Sequence, residues 1–364
     1  MKWRISFIPK ISQQHGGLVK ELTFKRYVTI LVVLIMLSLC ACFVCLAFGI
    51  EHITLKDVVR ILVARESNKN GYDQTVYHHI ILNVRFPRII LAFCVGMALS
   101  VAGAVFQSLL RNPLAEPHLI GVSSGAALGA VGGSLILSSL GACVFFGSTI
   151  ASFIGALIAI SIIYFLSKRH GALSVYTLLL IGVILNSFFV SIIIFIESIV
   201  SADELAGIFS WLLGSLSFVE KRTIWLVALI AVSGVIVLAS QAVKLNLLSL
   251  GEVRARALGL NVESMKKITY ICASLITGAV VSVSGLIGFI GLVVPHISRM
   301  LFGPDHRLVI PASACIGGML LVIADTIART MIAPQEIPVG VITSFLGAPF
   351  FIFLLKRKEA SSIF

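Results

Sequence analysis

Ten apolar stretches, divided by short polar gaps, run from Tyr27 to Leu355. A run of about 17 to 25 apolar residues is the length that crosses the hydrocarbon of a bilayer as an α-helix. In lipid only a helix or a closed barrel satisfies every backbone N–H and C=O internally, so ten such stretches prescribe an all-α polytopic membrane protein. A peripheral protein and a singly anchored domain are excluded. Of the 364 residues 58% are apolar and 12% charged, about half the charge of an ordinary soluble domain.

The stretches fall near 27–48, 89–110, 119–140, 142–166, 176–200, 223–240, 268–284, 286–302, 308–328 and 338–355. Ile268 to Ser298 is one run without Asp, Glu, Lys or Arg, long for one span and short for two; Gly285, Gly288 and Gly291 punctuate it. Charge decides the count. Lys2, Arg4, Lys10, Lys20, Lys25 and Arg26 precede the first stretch and Lys356, Arg357 and Lys358 follow the last. Lys and Arg gather on the cytoplasmic side, so both termini face the cytoplasm and the number of spans is even. With ten spans, 19 of the 28 Lys and Arg fall inside and 9 outside. The chain divides into a cytoplasmic arm, 1–26, a transmembrane domain, 27–358, and a cytoplasmic tail, 359–364. The arm is too long and polar, and Tyr27 to Phe48 too long, for a cleaved signal peptide, so the first span is retained.

At an offset of 182, Arg85 matches Lys267, Gly96 matches Gly278, Ser100-Val101 matches Ser282-Val283, Gly103 matches Gly285, Pro113 matches Pro295 and Gly121 matches Gly303. Such an offset crosses five spans and turns the second copy upside down. Spans 2–5 and 7–10 are therefore expected to form the inverted repeat common in transporters, with the pathway where the copies meet.

Little in the chain suggests catalysis. The net charge of +12 lies mostly in the gaps between spans, where it orients the protein instead of forming a nucleic-acid face. Cys40, Cys42, Cys45, Cys94, Cys143, Cys272 and Cys315 all fall within apolar stretches and read as small buried hydrophobes; the C-x-x-C match at Cys42 and Cys45 lies mid-span. Gly121-Val122-Ser123-Ser124-Gly125 fits G-x-S-x-G, with His118 and His296 as conceivable bases, and leaves an intramembrane serine hydrolase as a distant alternative. That signature needs a strand-to-helix elbow, and no strand is expected before Ser123. No phosphate-binding loop of the form G-x-x-x-x-G-K-[ST] occurs, so ATP energy has to come from a partner. Acidic residues are nearly absent from span centres, Glu197 and Asp325 lying toward span ends, which weakens the other alternative, a proton-driven secondary transporter.

The longest polar interruption of the second half is LLSLGEVRARALGLNVESMKK, Leu247 to Lys267. Glu252, Arg254 and Arg256 followed by Gly259 predict a short helix, a glycine turn and a second short helix. A connection between two spans needs neither, and the element reads as a docking helix for a cytoplasmic subunit.

Several long motifs then agree at once: RFPR (Arg85 to Arg88), GAVFQSLLRNPLAEPHLIGVSSGAALGA (Gly103 to Ala130), LGEVRARALGL (Leu250 to Leu260), SGLIGFIGLVVPHISR (Ser284 to Arg299), GPDHR (Gly303 to Arg307) and IPVGVITSFLGAPFFIFLLKR (Ile337 to Arg357). In these the chain resembles the permease subunits of bacterial ABC importers for iron siderophores, haem and vitamin B12, the FecCD-type family.

The resemblance implies ten spans per subunit in the bacterial cytoplasmic membrane and a second permease subunit in a homodimer around a central pathway. It also implies two cytoplasmic ATPase subunits, which hold the ATP and Mg, no cofactor on this chain, and an extracytoplasmic substrate-binding protein. The residues that grip acidic patches on that protein correspond to Arg85, Arg88 and Arg329, expected as exposed arginines near outer helix ends. The coupling helices correspond to Ser249 to Glu263, with Ser249, Leu250, Gly251, Glu252, Arg254, Arg256, Leu258 and Gly259 as contacts. The cytoplasmic gate corresponds to Asn112, Leu114, Ser174 and Val175, and the pathway lining to Asn186, Thr343 and Ser344. The expected cargo is an iron(III)-siderophore type chelate, with haem and cobalamin as alternatives. The spans contain no cluster of His, Cys or carboxylate suited to a bare metal ion. The long arm and the charged loop from Gly49 to Tyr77, with Lys56, Arg60, Arg65 and Lys69, exceed what the family needs.

Overall fold

The structure is a computed structural model that describes residues 23–51, 53–64, 72–139, 144–169, 171–217 and 219–362. Residues 1–22, Arg65, Lys69 and Cys143 lie outside the described residues. The chain forms α1 (Phe24–Ala47), α2 (Leu55–Ala64), α3 (Tyr72–His79), α4 (Phe86–Leu109), α5 (Val122–Ser139), α6 (Val144–Ser167), α7 (Val175–Glu197), α8 (Ala202–Leu212), α9 (Lys221–Ser240), α10 (Ala242–Ser249), α11 (Glu252–Ala257), α12 (Val262–Ser284), α13 (Ile290–Phe302), α14 (His306–Thr330) and α15 (Val339–Ser362). Two strands of two residues, β1 (Lys168–Arg169) and β2 (Ala172–Leu173), make a hairpin before α7. Among the described residues seven helices are long and apolar enough to cross a membrane, and the apolar helices Val122–Leu137, Ile290–Phe302 and Val339–Phe353 add three shorter ones. Each of these ten coincides with one of the apolar stretches.

Two boundaries differ from the sequence reading, each for a local reason. The second span starts well before residue 89, as one continuous apolar helix over Val76–Leu109. Pro87 ought to break it, because its ring clashes with the carbonyl four residues back and removes a hydrogen bond. The turn just before it, Ile80–Arg85, is widened into a π-helix that gives the ring room, and the helix passes on. The second short helix expected after Gly259 is absent as a separate element. The Asn261 side chain accepts from Ser264 N–H and caps α12, which then runs without interruption to Ser284.

With 13 residues α13 is about 20 Å long, shorter than the hydrocarbon layer of about 30 Å, so it begins within the protein. Phe289, at its amino end, takes a left-handed φ of +68° and donates its N–H to Glu116 Oε1 at 2.6 Å. A carboxylate from the loop before α5 thus satisfies the positive end of a helix in the other half of the chain.

The helix contacts bear out the repeat. α4 packs on α14 as α12 packs on α6; α4 meets α13 as α12 meets α5; α5 lies against α6 and α7 as α13 lies against α14 and α15. Among the seven long spans of the described residues, the one that ends in α4 is the most enclosed, with Leu91, Leu99 and Phe106 fully buried. Without a hydrophobic drive between helices in lipid, close backbone approach supplies the adhesion. Gly103 of α4 meets the Gly291 carbonyl of α13, and Gly96 meets the Gly317 carbonyl of α14; a methyl group at either would overlap the opposing backbone. Ser100 Oγ donates to Ser313 O at 2.7 Å across the second crossing.

Candidate functional site

The residues singled out from sequence gather at the two ends of the bundle. At one end stand Arg85, Arg88 and Arg329. The expectation that they are exposed fails: Arg85 and Arg329 are only 3% and 6% exposed. Arg85 Nη1 donates to Leu46 O at 2.9 Å and Ala47 O at 3.0 Å, and Nη2 to Glu51 O at 2.5 Å. Arg329 Nη2 donates to Cys45 O at 3.1 Å, and its Nε lies 3.6 Å from Asp325 Oδ2. The physical reason is that the last carbonyls of α1 have no helical partners, and these guanidinium groups supply donors and a favourable charge there. Arg88 is held differently. Its Nε and Nη2 bind Asp325 at 2.9 to 3.1 Å, while Nη1 reaches Glu336 at 2.9 Å. Asp325 is buried and Glu336 partly exposed, with Ser217 Oγ donating to Glu336 at 2.6 Å. Arg88 is the arginine of the three that reaches toward the surface.

At the opposite end lie the candidate coupling and gate residues. α11 is a short helix between two glycines of positive φ, Gly251 at +107° and Gly259 at +83°. Leu260 N–H returns to Ala255 O at 3.0 Å across the glycine, the pattern of a helix ended by a left-handed residue. Glu252 stands in its first turn and Arg254 and Arg256 in its last, each with the sign that suits the helix dipole. Ala255 is fully buried beneath it, whereas Val253 and Leu258 are 81% and 61% exposed. Leu250 is half-buried, and Ser249 Oγ bonds back to Asn246 O at 2.7 Å to close α10.

The structure brings this element against the segment of the candidate gate that precedes α7. Lys266 of α12 binds Glu252 at 2.9 Å and Glu263 at 3.6 Å and donates to Leu173 O at 3.1 Å, while Leu173 N–H donates to Glu263 Oε2 at 2.8 Å. The next residue, Ser174, accepts from Thr177 N–H at 3.3 Å and opens α7, on whose first position Val175 sits half-buried. Asn112 Oδ1 accepts from Leu114 N–H at 2.9 Å in the tight turn after α4, leaving Leu114 exposed. Arg111, beside it, reaches Leu248 O at 3.4 Å. Both candidate gate segments therefore lie at one end, although no hydrogen bond joins them among the described residues.

The three pathway residues separate. Asn186 is half-buried on α7, and Ser344 is exposed on α15, where it lines an open crevice of about 540 Å³ with Leu212, Leu286, Gly340 and Phe345. Thr343 points the other way: it is 3% exposed, donates to Gly340 O at 3.0 Å and lines an apolar crevice between α13, α14 and α15. Neighbours on a helix differ by about 100° in direction, so Thr343 and Ser344 cannot share a face.

Ser123 stands in the first turn of α5, after a short 3-10 helix and not after a strand. Its hydroxyl is buried without a hydrogen-bond partner, and His118 Nε2 is taken by Ile287 O at 2.6 Å. The nucleophile elbow is absent from this site. Three residues that the sequence does not single out individually complete the two ends: Glu336, Glu263 and Lys266. For the last two a signal existed, since Glu and Lys three apart on a helix face each other.

The FecCD transport family profile matches residues 30–357. The chain is 42% identical to YvrB, an uncharacterized ABC transporter permease of Bacillus subtilis, over 85% of this chain and 88% of that protein. It is 42% identical to HmuU, a hemin transport system permease of Yersinia pestis, over 77% and 84%. A solved metal-chelate type ABC transporter in an inward-facing conformation superposes with a TM-score of 0.79 at 29% identity, covering 91% of this chain and 100% of that one.

Proposed function

The chain belongs to the FecCD transport family, and from that premise we propose that it is half of a homodimeric importer that carries an iron(III)-siderophore type chelate across the bacterial cytoplasmic membrane. It is a multi-pass permease subunit of an ABC importer of the siderophore, haem and vitamin B12 kind, and not an enzyme. ATP hydrolysis belongs to separate ATPase subunits, and we place ATP and Mg there, with no cofactor on this chain. We place both termini in the cytoplasm, so that α11 faces inward and Arg88 outward. The ATPase pair drives alternation between two discrete states of the bundle through Ser249 to Glu263.

One observation carries this reading. α11 and the residue that caps it hold Val253 and Leu258 in the open on a polar connection, outside every apolar span. Two exposed apolar side chains flanking a buried anchor are what a partner's groove takes up. Arg88 is the docking residue we retain for the binding protein: an acidic residue on that partner would compete with Glu336 for Nη1. Haem remains the second cargo reading, favoured by the similarity to a hemin permease.

The test is capture. The permease co-expressed with its ATPase should hold it through purification, and Val253→Asp with Leu258→Asp should reduce capture at least about tenfold, each hot-spot side chain contributing about 1–2 kcal/mol. Undiminished capture would remove α11 as the docking element. Vesicles containing the whole importer and its binding protein, offered ferric hydroxamate siderophore, haem and cobalamin in competition, decide the cargo; accumulation of haem alone would overturn the siderophore reading.

A further inference from the structure

Between α11 and the start of α7 lies an ion cluster that packing does not require. Lys266 stands one turn into α12 with its side chain only 4% exposed. Its ammonium contacts three separate pieces of the chain: Glu252 of α11 at 2.9 Å, Glu263 on its own helix at 3.6 Å, and the carbonyl of Leu173 in β2 at 3.1 Å. Glu263 completes the ring by accepting Leu173 N–H at 2.8 Å and pairing with Arg256 of α11 at 3.2 Å. Both backbone groups of Leu173 are thus taken by α12 side chains, and the same side chains hold α11. Ser174 follows without a spare residue, its N–H bonded to Ser167 O at 3.2 Å and its side chain capping α7.

We propose that Lys266 is a positioning residue that joins the coupling helix to the gate, so that α11 and the hairpin of β1 and β2 move as one body when the ATPase pair closes. The inference rests on the reading of α11 as the ATPase contact. Its physical basis is desolvation. A buried ammonium stripped of one partner is costly, so a displacement of Glu252 draws Lys266, and Lys266 draws Leu173, more readily than either contact parts. An exposed pair would slip through water instead. The Gly251 turn, at positive φ with no heavy atom within 4 Å of a Cβ built on it, lets α11 shift relative to α10 together with the first turn of α12 that holds it. The hairpin carries Gly171 at φ +81° in its turn, likewise unobstructed. Rigid contact between two pieces with pliant flanks is the arrangement that transmits a displacement between discrete states.

The experiment uses the complete importer, with ATPase and binding protein, reconstituted in vesicles. Lys266→Met keeps the length of the side chain and removes its charge. The expected result is retained ATPase capture with transport per ATP hydrolysed reduced about five- to tenfold, the range of a modest coupling energy; Lys266→Arg should restore most of it. An unchanged ratio in Lys266→Met would overturn the proposal. Loss of ATPase capture by the parent chain would instead strike the reading of α11, which keeps the two failures apart. Should Lys266→Met fail to assemble, spin labels on Ala172 and Ala257 in the otherwise unaltered importer decide. Their separation should stay constant between nucleotide-free and ATP-bound states, and a change of about 5 Å, one helical turn, would sink the linkage.

Discussion

Arg85 and Arg329, far apart in sequence, close the same helix end: Arg85 Nη1 lies 2.9 Å from Leu46 O and Arg329 Nη2 lies 3.1 Å from Cys45 O. The last carbonyls of α1 are thereby paired from two other helices, one in each half of the repeat. Gly49 makes the approach possible, since a side chain there would collide with the Arg85 guanidinium.

This arrangement separates stability from docking. Arg85→Ala should cost about 3 kcal/mol, because charged hydrogen bonds to buried carbonyls are lost and the acceptors stay unpaired, and thermal unfolding of the purified protein should register it. Arg88→Glu should instead weaken capture of the binding protein, with added salt mimicking part of the effect. If Arg85→Ala unfolds normally and Arg88→Glu binds normally, the division is wrong.

Acid should open the Arg88 clamp at its exposed side. Burial works against ionisation of Glu336, but the Ser217 hydroxyl and the Arg88 charge hold its carboxyl below the ordinary value of 4.5. A carboxylate with a lowered folded pKa contributes fully above its unfolded value and loses that contribution as pH falls through the lower folded one. The melting temperature should therefore be insensitive to this group above about pH 5 and decline below about pH 4.5. Glu336→Gln should flatten that part of the profile, and an unaltered acid limb would count against the clamp.

Helix crossings at glycine give a third expectation. Gly103→Leu should separate α4 from α13 and cost about 3 kcal/mol or more through overpacking. Gly132→Ala on α5, where nothing lies within 4 Å of the added carbon, should be neutral or slightly stabilising. Folded yield with a fluorescent fusion compares the two directly, and equal yields would refute the close crossing.

Much of the fold is legible in the chain because lipid imposes one rule on every segment: apolar length. Together with the even count that charge requires, that rule divides the uncharged run Ile268 to Ser298 between α12 and α13, Gly285 marking where the first helix ends. It could not find the burial of Arg85 and Arg329. Hydropathy treats every arginine as solvated, and the acceptors that bury these two belong to α1, remote in sequence. The same limit hid Glu336 and the ring around Lys266, whose partners are assembled by folding. Thr343 and Ser344 adjoin in the chain, whereas a helix turns neighbours to different surroundings. The start of the second span escaped because Pro87 reads as a boundary, and only the π-helical turn before it shows how the boundary is crossed.

The contrast between α4 and α7 has a consequence for how the chain tolerates change. Most of α4 is enclosed by protein, while α7 turns Tyr176, Val183, Phe188, Ile194 and Phe195 outward. Random substitution should find α4 almost mute to improvement and α7 permissive to any greasy side chain. A drifting lineage would therefore keep its spine and rewrite its outward faces without rebuilding the frame.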